Sequence, residues 1–225
     1  MSDFTTARRR MIERQIIPRG VRDPDVLRAL GRVPRHLFVD EALRDRAYGD
    51  ASLPIGHGQT ISQPAMVATM TEALLLRGDE KVLEIGTGCG YQAAVLAEIA
   101  ARVFSVERLA PLYRRARAVL DRLGCHNVVL RHGDGTLGWA EHAPYDAIVV
   151  TAGAPHVPGA LREQLAVGGR LVIPVGDRGR QTLVRLTRGE AQDKREVLGD
   201  CVFVSLVGTD GWPADGSDER GGAVQ

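Results

Sequence analysis

The residues best placed to do chemistry form one run, Glu84-Ile85-Gly86-Thr87-Gly88-Cys89-Gly90, directly after the apolar-leaning Lys81-Val82-Leu83. An apolar segment ending near an acid, then glycine at every second position, then a helical stretch over 91–101, spells strand, tight turn and helix start. Glycine lets backbone approach a ligand where any Cβ would collide. A second acid, Glu107, ends another apolar run, 103–106, and lies 21 residues beyond Gly86. That spacing suits a carboxylate at the next strand end gripping a ribose. The implied chemistry is recognition of a nucleoside cofactor by Glu84, Gly86, Thr87, Gly88, Cys89, Gly90 and Glu107. A dinucleotide turn reads G-x-G-x-x-G and seats a pyrophosphate at a helix N-terminus. Here the spacing is G-x-G-x-G. Glu84, read as a fixed negative charge, would oppose a pyrophosphate and is compatible with the ammonium and sulfonium of S-adenosylmethionine. The plainer alternative is a glycine-rich turn without a ligand, which would cost backbone entropy and pack nothing in return.

The elements that must position these residues follow from pattern. Upstream, residues 1–80 read as mainly helical. Asp23-Pro24-Asp25 caps a helix with Val26, Leu27 and Leu30 on one face, ending near Gly31. Residues 47–58 are rich in turn formers and read as an irregular loop. Ser62 reads as the N-cap of a helix with Pro64 in its first turn. Met66, Val67, Met70, Ala73 and Leu74 form its buried stripe.

From residue 81 to 209 the pattern alternates. Strands are expected at 82–85, 103–106, 127–130, 146–151 and 170–174, with helices at 91–101, 109–123 and 159–165. Such alternation means an α/β fold with a doubly wound, mostly parallel sheet and ligands at the carboxyl ends of its strands. Residues 181–187 and 201–207 read as two further strands joined by the polar stretch 188–200, hence an antiparallel edge pair. The Gly-, Asp- and Ser-rich segment 210–225 reads as a disordered tail.

Composition narrows the function classes. The chain has 225 residues, 44% of them hydrophobic, which fits a single α/β domain with a helical N-terminal extension. A formal net charge of +1 gives no field for nucleic acid or anionic membrane, and Arg8-Arg9-Arg10 reads as a solvated helix face. Three widely spaced cysteines, Cys89, Cys125 and Cys201, make neither a disulfide framework nor a metal pattern, and the six histidines are scattered. No metal is expected. Without a secretory pattern or a run of membrane-spanning length, the expectation is a monomeric cytoplasmic protein with no nucleic-acid or membrane partner.

Several stretches together resemble the protein-L-isoaspartate O-methyltransferase family. They are Leu53-Pro54-Ile55-Gly56-His57-Gly58-Gln59-Thr60-Ile61-Ser62-Gln63-Pro64, Val82 through Tyr91, Gly133-Asp134-Gly135, Ala143-Pro144-Tyr145-Asp146, and 168–176. The resemblance runs from about Met11 to Trp212. The glycine turn is common to many methyltransferases, whereas residues 59–64 are far more specific to this family. The resemblance implies a seven-stranded class I, Rossmann-like fold with an antiparallel edge pair. It also implies methyl transfer from S-adenosylmethionine to the free α-carboxylate of L-isoaspartyl residues in damaged proteins and peptides. By the same resemblance Ser62 is the active-site serine, Gln59, Thr60 and Ile61 line the substrate pocket, and Gly86, Gly88, Glu107, Asp134 and Gly135 contact the cofactor. His57 lies in the same loop and is assigned to substrate. Cys89 departs from the serine more usual there, and a thiol is the weaker donor.

A carboxyl group with a pKa near ~4 is already ionised at neutral pH, so such a nucleophile needs no general base. The protein's task is alignment and exclusion of water. By spacing alone Ser62 reads as a helix cap; the plainer alternatives are a turn former for Asp134 and a solvated strand end for Glu107, whose spacing favours the ribose contact. Competing functions are a carboxyl methyltransferase acting on a biosynthetic peptide, a non-catalytic S-adenosylmethionine-binding module and a nicotinamide oxidoreductase.

Overall fold

A computed structural model describes residues 3–214. Helix α1 (Phe4–Met11) starts the chain, and α2 (Pro24–Arg32) is capped by Asp23, whose side chain accepts from the backbone N–H of Asp25 and Val26. That is the cap and the Pro-first turn expected from Asp23-Pro24-Asp25.

The segment expected to be an irregular loop holds a hairpin. Strand β1 (Leu53–Gly56) pairs antiparallel with β2 (Gln59–Ile61), with Leu53 opposite Ile61. His57 and Gly58, between the strands, both have positive φ, at 53° and 68°. Two such residues in succession give the hairpin turn whose twist matches its strands. Helix α3 (Pro64–Ala73) follows. It begins one residue later than expected: Gln63 is the N-cap, Pro64 takes the first position, and no side chain caps the end.

Strand β3 (Lys81–Ile85), helix α4 (Tyr91–Ala97), strand β4 (Arg102–Glu107), helix α5 (Ala110–Arg122), strand β5 (Val128–His132), strand β6 (Tyr145–Val150), helix α6 (Gly159–Glu163) and strand β7 (Leu165–Asp177) complete the alternating part. Strands β8 (Arg180–Thr187) and β9 (Lys194–Cys201) extend the sheet. The order is β5-β4-β3-β6-β7-β8-β9, parallel from β5 through β7 and antiparallel thereafter. The expected doubly wound sheet with an antiparallel edge is therefore present, with all seven strands.

Period-two alternation divides the sheet between two cores. Val82, Val103, Ala147, Val149 and Val172 face the core built with α2 to α5. Leu83, Phe104, Ile148, Val150 and Leu171 face the core shared with Trp139, Tyr145 and Leu161.

The edge pair is not the one expected. The partner of β8 is β9, drawn from the polar stretch 188–200 and ending at Cys201, rather than a strand over 201–207. An edge strand has one side in solvent and tolerates charge. Arg185 Nη2 meets Glu196 Oε2 at 3.0 Å, and Lys194 Nζ meets Glu196 Oε1 at 3.2 Å. Residues 202–212 instead run back across the sheet's carboxyl end. Gly153 N donates to Val204 O at 2.8 Å and Leu206 N to Gly153 O at 2.8 Å. The expected tail also begins too early at 210. Asp210 accepts from His156 Nε2 at 2.7 Å and from Gly159 N at 2.8 Å, and Trp212 Nε1 donates to Gly153 O at 3.1 Å. Residues 215–225, the remainder of that expectation, lie outside the described residues.

Candidate active site

The carboxyl ends of β3 and β4 open into a cleft with about 900 Å³ of empty space, part of it continuous with solvent. Its floor is the glycine turn between β3 and α4. Gly86, Gly88 and Gly90 have φ of 93°, 56° and 92°, the left-handed region that side chains strain. At Gly86 a Cβ would also lie 2.6 Å from Thr151 Oγ1. That hydroxyl donates to Gly86 O at 2.6 Å, and Gly86 N donates to Val106 O at 2.9 Å, so the turn is tied to both neighbouring strands.

Glu107 closes β4 and is 6% exposed. Its Oε2 accepts from Gly88 N and its Oε1 from Leu109 N, each at 2.8 Å. Each carboxylate oxygen has a second lone pair. Anchored by the backbone and lining the cleft, Glu107 can accept the two vicinal hydroxyls of a ribose. The fit extends to Gly135, where a Cβ would collide with Ile85 Cγ2 at the cleft wall.

Glu84 does not reach the cleft. It is 0% exposed, and Ser105 Oγ donates to its Oε2 at 2.5 Å while Thr87 Oγ1 meets Ser105 Oγ at 2.5 Å. Burial pushes its carboxyl up to about 8, with Glu107 opposing ionisation as well. Glu84 is thus largely protonated at neutral pH and supplies no fixed charge to the cleft. It braces the turn from below, and the exclusion of a pyrophosphate rests on glycine spacing alone.

The β1–β2 hairpin and the start of α3 form the opposite wall. Gln59, Thr60, Ile61 and Ser62 line the cleft with Val67 and Met70 of α3. Ser62 precedes the N-cap and makes no capping bond, contrary to the helix-cap reading. Beyond Thr60 and Ser62 a second cavity, with about 770 Å³ of empty space that is partly continuous with solvent, is lined by Ser52, Gln63, Met66, Cys201 and Phe203. Both cavities share Thr60, Ser62, Thr151 and Val204, so Ser62 stands at their junction.

Of the residues singled out in the sequence, Gln59, Thr60, Ile61, Ser62, Gly86, Thr87, Gly88, Cys89, Glu107 and Gly135 line one cleft. Four do not. His57 is an exposed turn residue, Glu84 is buried, and Gly90 packs under the turn, where a Cβ would sit 3.3 Å from Ala116 Cβ. Asp134 turns away: its Oδ1 accepts from Thr136 N at 2.9 Å and its Oδ2 from Thr209 N at 2.7 Å. These bonds hold its carboxyl below the usual range against the opposing effect of burial. Asp134 therefore fastens residues 205–212 across the cleft, where Ser205, Leu206 and Val207 join the lining. Those three, with Thr151 and Tyr91, were missed in the sequence. Thr151 and Tyr91 adjoin recognised elements, while 205–207 arrive through long-range bonds that leave no local pattern. Cys89 is buried, and its thiol is pushed up to about 11, which keeps it neutral and inert. Among the described residues no group of acids, histidines or cysteines could hold a metal, and no helix is long and apolar enough to cross a membrane.

Comparison with known proteins agrees with this geometry. The family model described as protein-L-isoaspartate(D-aspartate) O-methyltransferase matches residues 6–211. A protein-L-isoaspartate O-methyltransferase of Syntrophotalea carbinolica is 61% identical over 95% of this chain and 99% of its own length. One of Geobacter metallireducens is 60% identical over 93% of this chain and 98% of its own. Among solved structures, a protein-L-isoaspartate O-methyltransferase superposes with a TM-score of 0.83 at 30% identity, covering 91% of this chain and 67% of that one. A putative Plasmodium falciparum enzyme of the same kind, in complex with S-adenosyl-L-homocysteine, gives 0.76 at 25% identity, covering 92% and 99%. The chain belongs to the protein-L-isoaspartate O-methyltransferase family.

Proposed function

We propose that this protein transfers a methyl group from S-adenosylmethionine to the free α-carboxylate of L-isoaspartyl residues in proteins and peptides, the step that opens repair through a succinimide. The observation that carries this reading is the junction at Ser62, where the glycine-floored cleft meets a second cavity. When bound, the cofactor supplies an electrophilic methyl on a sulfonium. Glu107 holds its ribose, and Gly86, Gly88 and Gly135 keep the backbone close. The Ser62 hydroxyl donates a hydrogen bond to the incoming carboxylate and orients it, and residues 204–207 help to exclude water. No histidine lines the cleft among the described residues, and Glu107 is committed to Gly88 and Leu109. That suits a nucleophile already ionised at neutral pH, which needs alignment and no base.

Once the ester forms, methanol leaves more readily than hydroxide, and the next backbone nitrogen closes the ring. Hydrolysis of the ring then returns some normal aspartate by intrinsic peptide chemistry. The reading includes a monomer that acts on neither nucleic acid nor membranes, supported by the net charge of +1, and a cytoplasmic location. Sedimentation tests the monomer.

Calorimetry tests the cofactor assignment: S-adenosylhomocysteine should bind and NAD should not. The methyl group added to substrate should be released as methanol under mild alkali, as a carboxyl ester requires. NAD binding without a response to S-adenosylhomocysteine, or an alkali-stable methyl group, would overturn the reading.

A further inference from the structure

Arg35 is the largest fully buried side chain, at 0% exposure, and among the described residues it forms no ion pair. Its Nε donates to Ala47 O at 2.7 Å and its Nη2 donates to Ser62 O at 2.7 Å, while Nη1 has no partner. The guanidinium carbon lies 4.7 Å from the centre of the Tyr91 ring, and Phe38 meets that ring edge-on with centroids 5.4 Å apart. A buried cation without an anion is unfavourable, and two carbonyl oxygens and an aromatic face compensate it only in part. An apolar side chain of similar size would fill the space without that penalty. The geometry points to a reason for keeping the charge.

Ala47 precedes the β1–β2 hairpin and Ser62 follows it. One planar fork thus links the segment that leads into the hairpin with the residue that leaves it. Gln63 Nε2 reinforces the closure by donating to Asp50 Oδ1 at 2.6 Å. Tyr91, beneath the fork, begins α4 directly after the glycine turn and lines the cofactor cleft. We propose that Arg35 is a positioning residue for methyl transfer, one that fixes the Ser62 peptide group relative to the cofactor floor so that the Ser62 hydroxyl points at the junction of the two cavities. Lysine cannot substitute, since a single ammonium lacks the rigid fork that reaches two carbonyls at set angles.

This inference rests on the assignment of Ser62 to the reaction, and the test separates the two. Kinetics with an isoaspartyl peptide and binding of S-adenosylhomocysteine are measured for wild type, Ser62→Ala, Arg35→Lys, Arg35→Met and Arg170→Met. Arg170 is a structural control, donating to Leu74 O at 2.7 Å and Leu75 O at 3.0 Å away from the cleft. Arg35→Lys and Arg35→Met should lower kcat by about 10–100-fold at saturating cofactor, because a displacement near 1 Å costs that much in an aligned reaction. Their S-adenosylhomocysteine affinity should stay within about twofold of wild type. In a Ser62→Ala background the further loss from Arg35→Lys should shrink, since both changes disable one device. Arg170→Met should lower Tm while kcat holds. Wild-type kcat in a folded Arg35 variant would overturn the proposal. So would a kcat loss matched by Arg170→Met at equal loss of Tm, or failure of even Arg35→Lys to fold and bind S-adenosylhomocysteine. An inactive wild type, or a fully active Ser62→Ala, would instead bring down the reading on which the proposal stands.

Discussion

The Ser62 hydroxyl caps no helix, because α3 starts without a side-chain cap, and Arg35 holds Ser62 through its backbone carbonyl, so the side chain is a clean site for mutation. Ser62→Ala should slow turnover by roughly 10²–10³-fold through loss of one orienting donor, with Tm and S-adenosylhomocysteine affinity nearly unchanged. Steady-state kinetics beside calorimetry check this, and wild-type turnover would remove the hydroxyl from the mechanism. Glu84 allows a test by pH. Burial lifts its carboxyl from the ordinary 4.5 to about 8 in the folded chain. Between those values the folded protein keeps a proton that the unfolded chain releases. The stability this group contributes is therefore complete below the lower value and is lost as pH rises through the upper one. Glu84→Gln cannot titrate, so its Tm relative to wild type should climb from pH 5 to pH 8. Parallel Tm curves would mean that Glu84 is ionised in the fold. Both strand-end acids, Glu84 of β3 and Glu107 of β4, were visible in the sequence, but their roles were not equally so. Glu107 ends β4 at the cleft, whereas Glu84 points under the turn to Ser105, and spacing along a chain does not say which way a side chain points.

At the level of elements, the turn between β3 and α4 separates backbone need from ligand need. Gly90 adopts the left-handed region and packs against Ala116 and Leu120 of α5, away from the cleft. Gly90→Ala should cost about 1–3 kcal/mol of stability, read as a lower denaturation midpoint, while S-adenosylhomocysteine affinity in the folded fraction stays close to wild type. A large loss of affinity at unchanged stability would place Gly90 in the site. Elements built from local signals were legible: the Asp23-Pro24 cap, helix α5 and the apolar strands of the parallel sheet. The β1–β2 hairpin was hidden because its turn is His57-Gly58 rather than Asn-Gly, and because its strands are only four and three residues long. Strand β9 was hidden by Lys194, Arg195, Glu196 and Asp200, charges that an edge strand accepts.

Across the whole molecule, the site is assembled from four separated parts: the hairpin and α3, the glycine turn, Glu107 at the end of β4, and residues 204–207. Helix α3, the glycine turn and Glu107 carry a local signature, while the hairpin does not. The fourth is held by Asp134, Gly153 and Thr136, whose bonds to Thr209, Leu206 and Asp210 span 50 residues or more, too far for a pattern to register. On the proposed reading, such an assembly would select substrate by shape. In an isoaspartyl linkage the chain leaves through the side-chain carbonyl, so the α-carboxylate hangs beside the backbone and can be presented at Ser62. In a normal aspartyl residue the carboxylate sits one methylene further out and off line. The most direct test is methyl incorporation from S-adenosylmethionine into an isoaspartyl peptide and its matched aspartyl twin, under identical conditions. Transfer to the isoaspartyl peptide alone, at least ~100-fold faster than to the twin, is expected. Equal transfer to both, or transfer to neither, would contradict the assignment.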